Sequence, residues 1–278
     1  MIIKVIPFFA ALFCLLTCCI TYTADSIVAD PRYELPAYNK TEHIITYKGF
    51  SDISYGTANT FVDTEKIAYT VCYDVQNKQP KWVAYDLTRE ELSGTVSRKG
   101  MSFSIDEKAK VPQADNYDYK GSPWTRGHIA PAADFKWSRE AMSSTFYYTN
   151  CCPQSKLLNE TYWEKLENRV RGWAKQFGKV YVVSGPIFGN VENGYLGNNR
   201  ISIPDDFFKA ILVYNGVLCQ AIGFRLSNTS PDSYYNCITT IDELEAITGL
   251  DFFHMLDDSL ESDVESKYDT KFWNIQAK

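Results

Sequence analysis

The chain has 278 residues, of which 45% are hydrophobic and 22% are charged, and its formal net charge at pH 7 is −6. This composition is ordinary for a globular protein, and it excludes a disordered chain, a collagen-like repeat and a protein with several membrane spans. Aromatic residues make up 15% of the chain. Each of them removes about 150–250 Å² from water when buried, so a large core is expected.

The charge is distributed unevenly along the chain. Residues 120–175 carry nine Lys or Arg and five acidic residues, whereas residues 242–269 carry ten acidic residues and one Lys. The negative net charge argues weakly against a nucleic-acid partner, but the basic stretch can attract a polyanion locally. From charge alone, two ordinary solvated faces are the simpler interpretation.

The first 24 residues have the composition of a targeting segment. Lys4 is followed by an apolar run over residues 5–20, which is typical of a signal peptide and is short for a membrane span. Cleavage after Ala24 is one expectation, and lipid attachment at Cys18 is another, because the residues before it loosely resemble a bacterial lipobox. Both predict an exported chain that is periplasmic, secreted or lipid-anchored, with no integral membrane span when mature. A retained membrane anchor is the alternative.

Beyond this signal peptide, we expect an N-terminal lead-in over residues 25–65 and a single domain over residues 66–278. Five cysteines remain, and this odd number leaves at least one thiol unpaired or paired between chains. Cys219 and Cys237 flank a loop and are a candidate pair, although the sequence does not decide the pairing. The five cysteines are Cys72, Cys151, Cys152, Cys219 and Cys237.

The first elements predicted within the domain are extended. Residues 67–75 and 82–87 are rich in β-branched and aromatic side chains and predict the two strands of a hairpin. A short helix is expected over residues 88–92. It is followed by a loop over residues 98–124 and a further strand over residues 145–149.

The clearest predicted element is a helix over residues 160–177, where apolar residues recur at three- and four-residue spacing. Asn159 stands where an N-cap is expected, and Gly178 stands where the helix should stop. The irregular order of strands and helices along the chain indicates an α+β fold. The later predictions are strands over residues 179–184, 207–214 and 217–225, a loop over 189–200, and a short helix over 241–248.

One tripeptide, Arg126-Gly127-His128, places a permanent cation two residues from a titratable imidazole. Neutral imidazole is a natural general base near pH 7, and a guanidinium group can bind a phosphate through two parallel hydrogen bonds. Taken alone, however, such a histidine is more often a structural residue.

A second pattern lies on the predicted helix, where Asn159, Trp163, Glu167 and Arg171 recur at four-residue steps and therefore share one face. An amide oxygen and a carboxylate, completed by water, suit Mg²⁺. The alternative is a helix cap, a core Trp and an exposed ion pair between the last two residues.

Together these motifs resemble the DNA/RNA non-specific endonucleases of the ββα-metal type. That family includes the secreted bacterial sugar-non-specific nuclease and mitochondrial endonuclease G. Its signature is Asp-Arg-Gly-His, a strand that ends in Asn-x-x-Pro-Gln, and a helix that begins with Asn and carries Trp and Glu at four-residue steps. The matching segments are residues 125–133, 146–154 and 158–167, with flanking similarity at 82–85, 183–188 and 203–209.

The resemblance implies a central antiparallel sheet flanked by helices, with an embedded ββα-metal motif. It implies a sequence-non-specific endonuclease that hydrolyses DNA, RNA or both. The implied cofactor is Mg²⁺, with Mn²⁺ or another divalent cation as alternatives. Homodimers occur in the family, so a homodimer is a further expectation.

The resemblance also assigns roles to individual residues. His128 would be the general base that activates water, Asn159 the direct protein ligand of the metal, and Glu167 the holder of a metal-bound water. Two arginines would stabilise or position the phosphate, and one further amide would support the site around the metal: Arg126, Arg171 and Asn150.

This sequence departs from the family signature at Thr125, where the family usually has Asp. Thr keeps a hydroxyl group that can form hydrogen bonds, so we expect activity to survive. The departure is the one feature that favours the alternative of a non-catalytic, nuclease-fold binding module on the cell surface. A thiol enzyme that uses Cys151 or Cys152 with His128 is a weaker alternative, because no nearby motif activates either thiol.

Overall fold

The computed structural model of the chain describes residues 32–50, 65–189 and 193–275. The predicted targeting segment and parts of the predicted lead-in lie outside these ranges. Among the helices of the described residues, none combines the length and the apolar character that crossing a membrane requires.

Strands dominate the described part of the chain, and two of them, Trp124–His128 and Cys151–Ser155, form a separate antiparallel pair. The strands are β1 (His43–Phe50), β2 (Glu65–Asp74), β3 (Gln79–Thr88), β4 (Trp124–His128), β5 (Cys151–Ser155), β6 (Lys179–Ile187), β7 (Tyr195–Leu196), β8 (Ile201–Ser202), β9 (Asp206–Tyr214), β10 (Cys219–Ser227) and β11 (Ile238–Thr239).

Seven strands form the central antiparallel sheet, in the order β1-β2-β3-β6-β9-β10-β11. Its middle strands read as nearly continuous apolar runs because both faces of the sheet are covered. In β6, Val180 and Val182 pack into one core cluster, while the alternate residues Tyr181 and Val183 pack into another. This alternation follows from the two-residue period of a strand.

Helices cover the two faces of the sheet. Leu166 and Trp173 of the long helix belong to the first core cluster, whereas Leu244 and Val264, from the two C-terminal helices, belong to the second. The predicted α+β class, with a central antiparallel sheet flanked by helices, is therefore confirmed. The helices are α1 (Asn116–Tyr119), α2 (Arg139–Ser144), α3 (Glu164–Phe177), α4 (Ile241–Thr248) and α5 (Asp258–Glu265), with a π-helical segment (Leu158–Trp163) that leads directly into α3.

Several predicted elements agree with the structure. The predicted hairpin is β2–β3, and the predicted strands that follow the long helix are β6, β9 and β10. Gly178 ends α3 with a φ of 91°, and Gly216 turns between β9 and β10 with a φ of 86°. Both glycines occupy left-handed backbone conformations that are strained for other residues.

The strand predicted over residues 145–149 is wrong. The Thr145 hydroxyl donates a hydrogen bond of 2.7 Å to the carbonyl of Met142, and Tyr148–Asn150 form a 3₁₀ turn. The chain becomes extended only at Cys151, where β5 begins. Local hydrogen bonds to the preceding helix thus override the β propensity of this aromatic stretch.

The start of the long helix also differs from the prediction. The helical conformation begins at Lys156, and the Ser155 hydroxyl before it accepts a hydrogen bond of 3.2 Å from the Leu158 N–H. Asn159 therefore lies inside the first turn and does not cap it, so its side chain is free for another role.

Other differences concern short elements and thiols. The helix predicted over residues 88–92 is a 3₁₀ turn at Glu91–Ser93, and β1 lies within the predicted lead-in. The predicted loops over residues 98–124 and 189–200 contain α1 and β7. Cys219 and Cys237 are both free thiols, so the candidate disulfide is not formed.

Candidate active site

The site is built on β4, β5 and the helix that follows them. In the antiparallel β4–β5 pair, His128 lies opposite Cys151 and Thr125 lies opposite Gln154. The chain then enters the helix at once, which brings Asn159 beside the same pair of strands. A cleft of about 420 Å³ opens here, and five predicted site residues line it: Arg126, His128, Asn159, Glu167 and Arg171.

His128 is held between aromatic rings. The ring centroids of Phe103 and Phe146 each lie 4.7 Å from its imidazole, and its Nε2 atom is buried without a hydrogen-bond partner. Burial, followed by the positive charge of Arg98, lowers the pKa of His128 to about 3. The imidazole is therefore neutral at physiological pH, as a general base requires.

Asn150 lies behind the cleft and does not line it. Its Nδ2 atom donates to the carbonyls of Ala130 and Thr145, at 2.9 Å each, and its Oδ1 atom accepts from the Ala130 N–H at 2.8 Å. The buried amide thus ties the segment after His128 to the start of β5. It can position the base but does not reach the cleft.

Asn159 and Thr125 are joined by a side-chain hydrogen bond whose donor and acceptor are fixed by a neighbouring bond. The Thr125 hydroxyl donates its proton to the Gln154 carbonyl over 2.9 Å, so it can only accept a hydrogen bond from Asn159. The Nδ2 atom of Asn159 supplies that bond at 3.0 Å. Its Oδ1 atom then faces away from Thr125, and within the described residues it accepts no hydrogen bond.

Arg171 pairs with Asp134 and not with Glu167. Its Nη1 atom lies 2.7 Å from the buried Asp134 Oδ1, and the Tyr85 hydroxyl donates to the other oxygen of Asp134 at 2.9 Å. The simple i, i+4 ion pair considered from the sequence is absent from the described contacts. Arg171 is fixed at the edge of the cleft by a residue from a distant turn.

Glu167 is a desolvated carboxylate next to a buried ammonium group. Burial raises its pKa to about 7, and the positive charge of Lys209 opposes that shift. Lys209 is 1% exposed; it donates to the Ser184 hydroxyl at 2.7 Å and lies 4.4 Å from the Trp163 ring centroid. In the described part of the chain, Glu167 itself has neither a hydrogen bond nor an ion pair.

Arg126 lies at the mouth of the cleft. Its Nη1 atom donates to Asn116 at 2.6 Å, and its guanidinium carbon lies 5.7 Å from the Phe103 centroid and 5.9 Å from the Tyr119 centroid. The remaining donors of this exposed side chain are available to an anion.

Two residues of the site escaped the sequence analysis: Asp134 and Lys209. Asp134 follows the His128 motif closely, but nothing local predicts that it pairs with Arg171, 37 positions away. Lys209 lies in an apolar strand, and an isolated charge in such a run was the available signal, since buried Lys is rare without a partner.

The donor set fits one hard divalent cation. Asn159 offers an amide oxygen and Glu167 a carboxylate, and both are oxygen donors of the kind that Mg²⁺ accepts. Among the described residues, no group of three His, Cys, Asp or Glu side chains gathers at this cleft. A cation bound here must therefore complete its coordination with water or phosphate.

The sheet, the β4–β5–helix unit and the cleft together define a ββα-metal nuclease fold. The chain belongs to the DNA/RNA non-specific endonuclease family, whose family model matches residues 50–259. This confirms the family predicted from the sequence.

Individual relatives support the same assignment. The chain is 36% identical over 207 residues to the mitochondrial nuclease EXOG of Xenopus laevis, a match that covers 69% of this chain and 58% of the relative. It is 33% identical over 212 residues to the mitochondrial endonuclease G of Bos taurus, covering 71% of each. The solved EndoG/EndoGI complex matches with a TM-score of 0.65 and 26% identity, over 68% of this chain and 84% of that chain.

The prediction of an exported chain, whether periplasmic, secreted or lipid-anchored at Cys18, is wrong. Both curated relatives above are mitochondrial nucleases. So is a Saccharomyces cerevisiae relative that is 33% identical over 199 residues. An apolar run after a single Lys indicates that a chain is targeted or anchored, but its composition does not specify the compartment.

Proposed function

We propose that the chain is a Mg²⁺-dependent endonuclease that hydrolyses phosphodiester bonds of DNA, RNA or both with little sequence preference. The observation that carries this proposal is that one cleft holds a neutral His128 together with the unpartnered amide oxygen of Asn159. The arginines around the cleft suit phosphate contacts, which fix a nucleic acid in place without reading its bases.

His128 acts as the general base. It is neutral at physiological pH, so it can accept a proton from a water molecule that attacks the phosphorus in line. Because Nε2 is buried, Nδ1 is the ring nitrogen that meets this water. Asn150 supports the step indirectly by holding the backbone that follows His128.

The residues that would hold the metal ion lie on the helical segment that contains Asn159 and Glu167. Asn159 would ligate Mg²⁺ directly and Glu167 would hold one of its waters. A cation held by these residues would supply positive charge to the leaving 3′ oxygen. Mn²⁺ and other oxygen-seeking divalent cations fit the same donors. Loss of the 3′ oxygen leaves 5′-phosphate ends.

Arg126 and Arg171 bind the phosphate from two sides. Arg126 presents exposed donors at the mouth of the cleft, and Arg171 is held at its edge by Asp134. Both guanidinium groups stabilise the added negative charge of the pentacovalent phosphorus, where a preorganised cation is most effective.

The chain spans 58% of the length of the X. laevis relative, so cellular role and partners rest on inference. From the names of the relatives we infer a mitochondrial location. A homodimer, the targeting segment at residues 1–24, the lead-in over 25–65 and the single nuclease domain over 66–278 stay predictions.

The test is degradation of plasmid DNA and of RNA by the purified full chain, with Mg²⁺ and with EDTA, beside His128→Ala. The matched control is His254→Ala, which changes a histidine far from the motif in sequence. We expect Mg²⁺-dependent cleavage by the wild type and the control, and a loss of at least about 100-fold in His128→Ala. A folded wild-type chain that cleaves neither polymer would favour the binding module.

A further inference from the structure

A second cluster of polar groups lies on the sheet face that α4 and α5 cover. Asp242 and Glu245 of α4 and Glu265 of α5 each place a carboxylate oxygen within 4.8 Å of the other two. These residues come from the acidic stretch 242–269 that the sequence analysis singled out, and the nuclease site does not use them.

Glu265 makes this cluster unlike an ordinary acidic surface. The residue is only 6% exposed, and its Oε1 atom is buried without a hydrogen-bond partner. The Oε1 atom of Glu261, one turn earlier on α5, is also buried and unpartnered. Leaving such groups unpaired in a folded protein is costly.

The groups around Glu265 are acidic as well. Burial, and then the carboxylates of Glu245, Glu261, Asp242 and Asp251, raise the pKa of Glu265 to about 9. Glu245 accepts a hydrogen bond of 2.7 Å from the Phe252 N–H. Within the described ranges, no Lys or Arg forms an ion pair with the three clustered carboxylates.

We propose that Asp242, Glu245 and Glu265 bind a Ca²⁺ ion that joins α4 to α5. Oxygens bound to one Ca²⁺ at 2.3–2.6 Å lie at most about 5 Å apart, so the observed spacing lets a single ion contact all three groups. Ca²⁺ accepts several carboxylates in irregular geometry, whereas Mg²⁺ demands a near-octahedral shell and retains most of its water. The ion is structural and is independent of the cation in the nuclease cleft.

The experiment is calorimetric titration of the full chain with CaCl₂ from about 10⁻⁵ to 10⁻³ M, after metal removal. The parent protein carries Asn159→Ala, so that the cleft no longer contributes its direct ligand. We expect one Ca²⁺ per chain, weaker binding of MgCl₂, and a thermal midpoint raised by about 5 °C when Ca²⁺ is near 100 times its dissociation constant.

Two variants in the same background test the ligands. Glu265→Gln should weaken Ca²⁺ binding at least about 10-fold, and Asp242→Asn, at an exposed position where folding is safe, should do the same. Asp263→Asn is the matched control, because it removes an exposed carboxylate from α5 outside the cluster, and it should bind like the parent.

Either of two results would overturn the proposal. One is that the parent binds no Ca²⁺ at about 1 mM, which would mean that a proton shared within the cluster suffices. The other is that Asp263→Asn weakens binding as much as Glu265→Gln, which would show that general surface charge, and not a built site, attracts the ion.

Discussion

Among single residues, Thr125 places a hydroxyl group at the position where the family signature usually has the carboxylate of Asp. Thr125 donates to the Gln154 carbonyl and accepts from Asn159, which fixes the amide with its nitrogen on Thr125 and leaves its oxygen for another partner. The departure from the family signature is thus compatible with metal binding, because Asp and Thr can both accept that hydrogen bond from the amide.

Thr125→Val should raise the Mg²⁺ concentration needed for half-maximal activity by about 5-fold, since the loss of one hydrogen bond costs about 1 kcal/mol. Valine keeps the shape of threonine but cannot accept the bond from Asn159. Thr125→Ser should behave like the wild type. Activity measured against Mg²⁺ concentration checks this, and an unchanged profile in the valine variant would show that the hydroxyl does not orient the amide.

Burial raises the pKa of Glu167, and the positive charge of Lys209 opposes that rise. Replacing Lys209 by Met removes the positive charge that opposes the raised pKa of Glu167, which is about 7. The pKa of Glu167 then rises further, so the carboxylate becomes protonated at a higher pH. The acid limb of kcat/KM therefore shifts to higher pH. Lys165→Met replaces an exposed lysine on α3, the helix that carries Glu167, and it should leave the pH profile unchanged. If the acid limb of kcat/KM in Lys209→Met lies at the same pH as in the wild type, this role of Lys209 is contradicted.

At the scale of elements, the site depends on how closely β4 and β5 approach. A Cβ atom at Gly127 would clash with the side chain of Gln154, which is fully buried. Glycine is therefore required here by packing between two strands, and the Arg126 and His128 side chains flank this contact.

Gly127→Ala should destabilise the fold by about 1–3 kcal/mol through overpacking and should lower activity. Gly172→Ala is the contrasting variant, because nothing lies within 4 Å of a Cβ at that helical position. It should stabilise the protein by about 0.5–1 kcal/mol. The urea midpoints of the two variants measure both changes in stability. If Gly127→Ala and Gly172→Ala shift the midpoint equally, the packing argument is refuted.

Local patterns predicted the elements that local physics decides. The β2–β3 hairpin, the body of α3 and the bounds of α4 followed from side-chain periodicity and turn residues. The 3₁₀ turn at Tyr148–Asn150 did not, because hydrogen bonds to α2 override an extended propensity. Asn159 was identified as a site residue for its chemistry, but its predicted cap role was wrong.

At the scale of the whole molecule, the site draws on segments that are distant in sequence. Asp134, Arg171 and Lys209 interact electrostatically although they come from a turn, a helix and a central strand. Sequence periodicity does not predict contacts between residues so distant in the chain, so this charge network could be found only in the three-dimensional structure.

Global stability should fall in acid partly because of His128. Its pKa is about 3 in the folded chain and about 6.5 when unfolded, so the unfolded state binds more protons between these values. The free energy of unfolding therefore decreases as the pH drops from about 6.5 towards about 3. His128→Asn lacks this contribution, and its urea midpoint should depend less on pH over that window. Parallel pH dependences would show that His128 is protonated in the folded protein.

In the proposed mechanism, His128 activates water, and a cation held by Asn159 would assist the leaving 3′ oxygen. The most direct measurement compares cleavage of DNA with that of thymidine 5′-(4-nitrophenyl phosphate), where nitrophenolate leaves without assistance. We predict that Asn159→Ala loses far less activity on the nitrophenyl ester than on DNA, whereas His128→Ala loses a similar factor on both. An equal loss of both activities in Asn159→Ala, or a nitrophenyl activity that survives His128→Ala, would contradict the assignment.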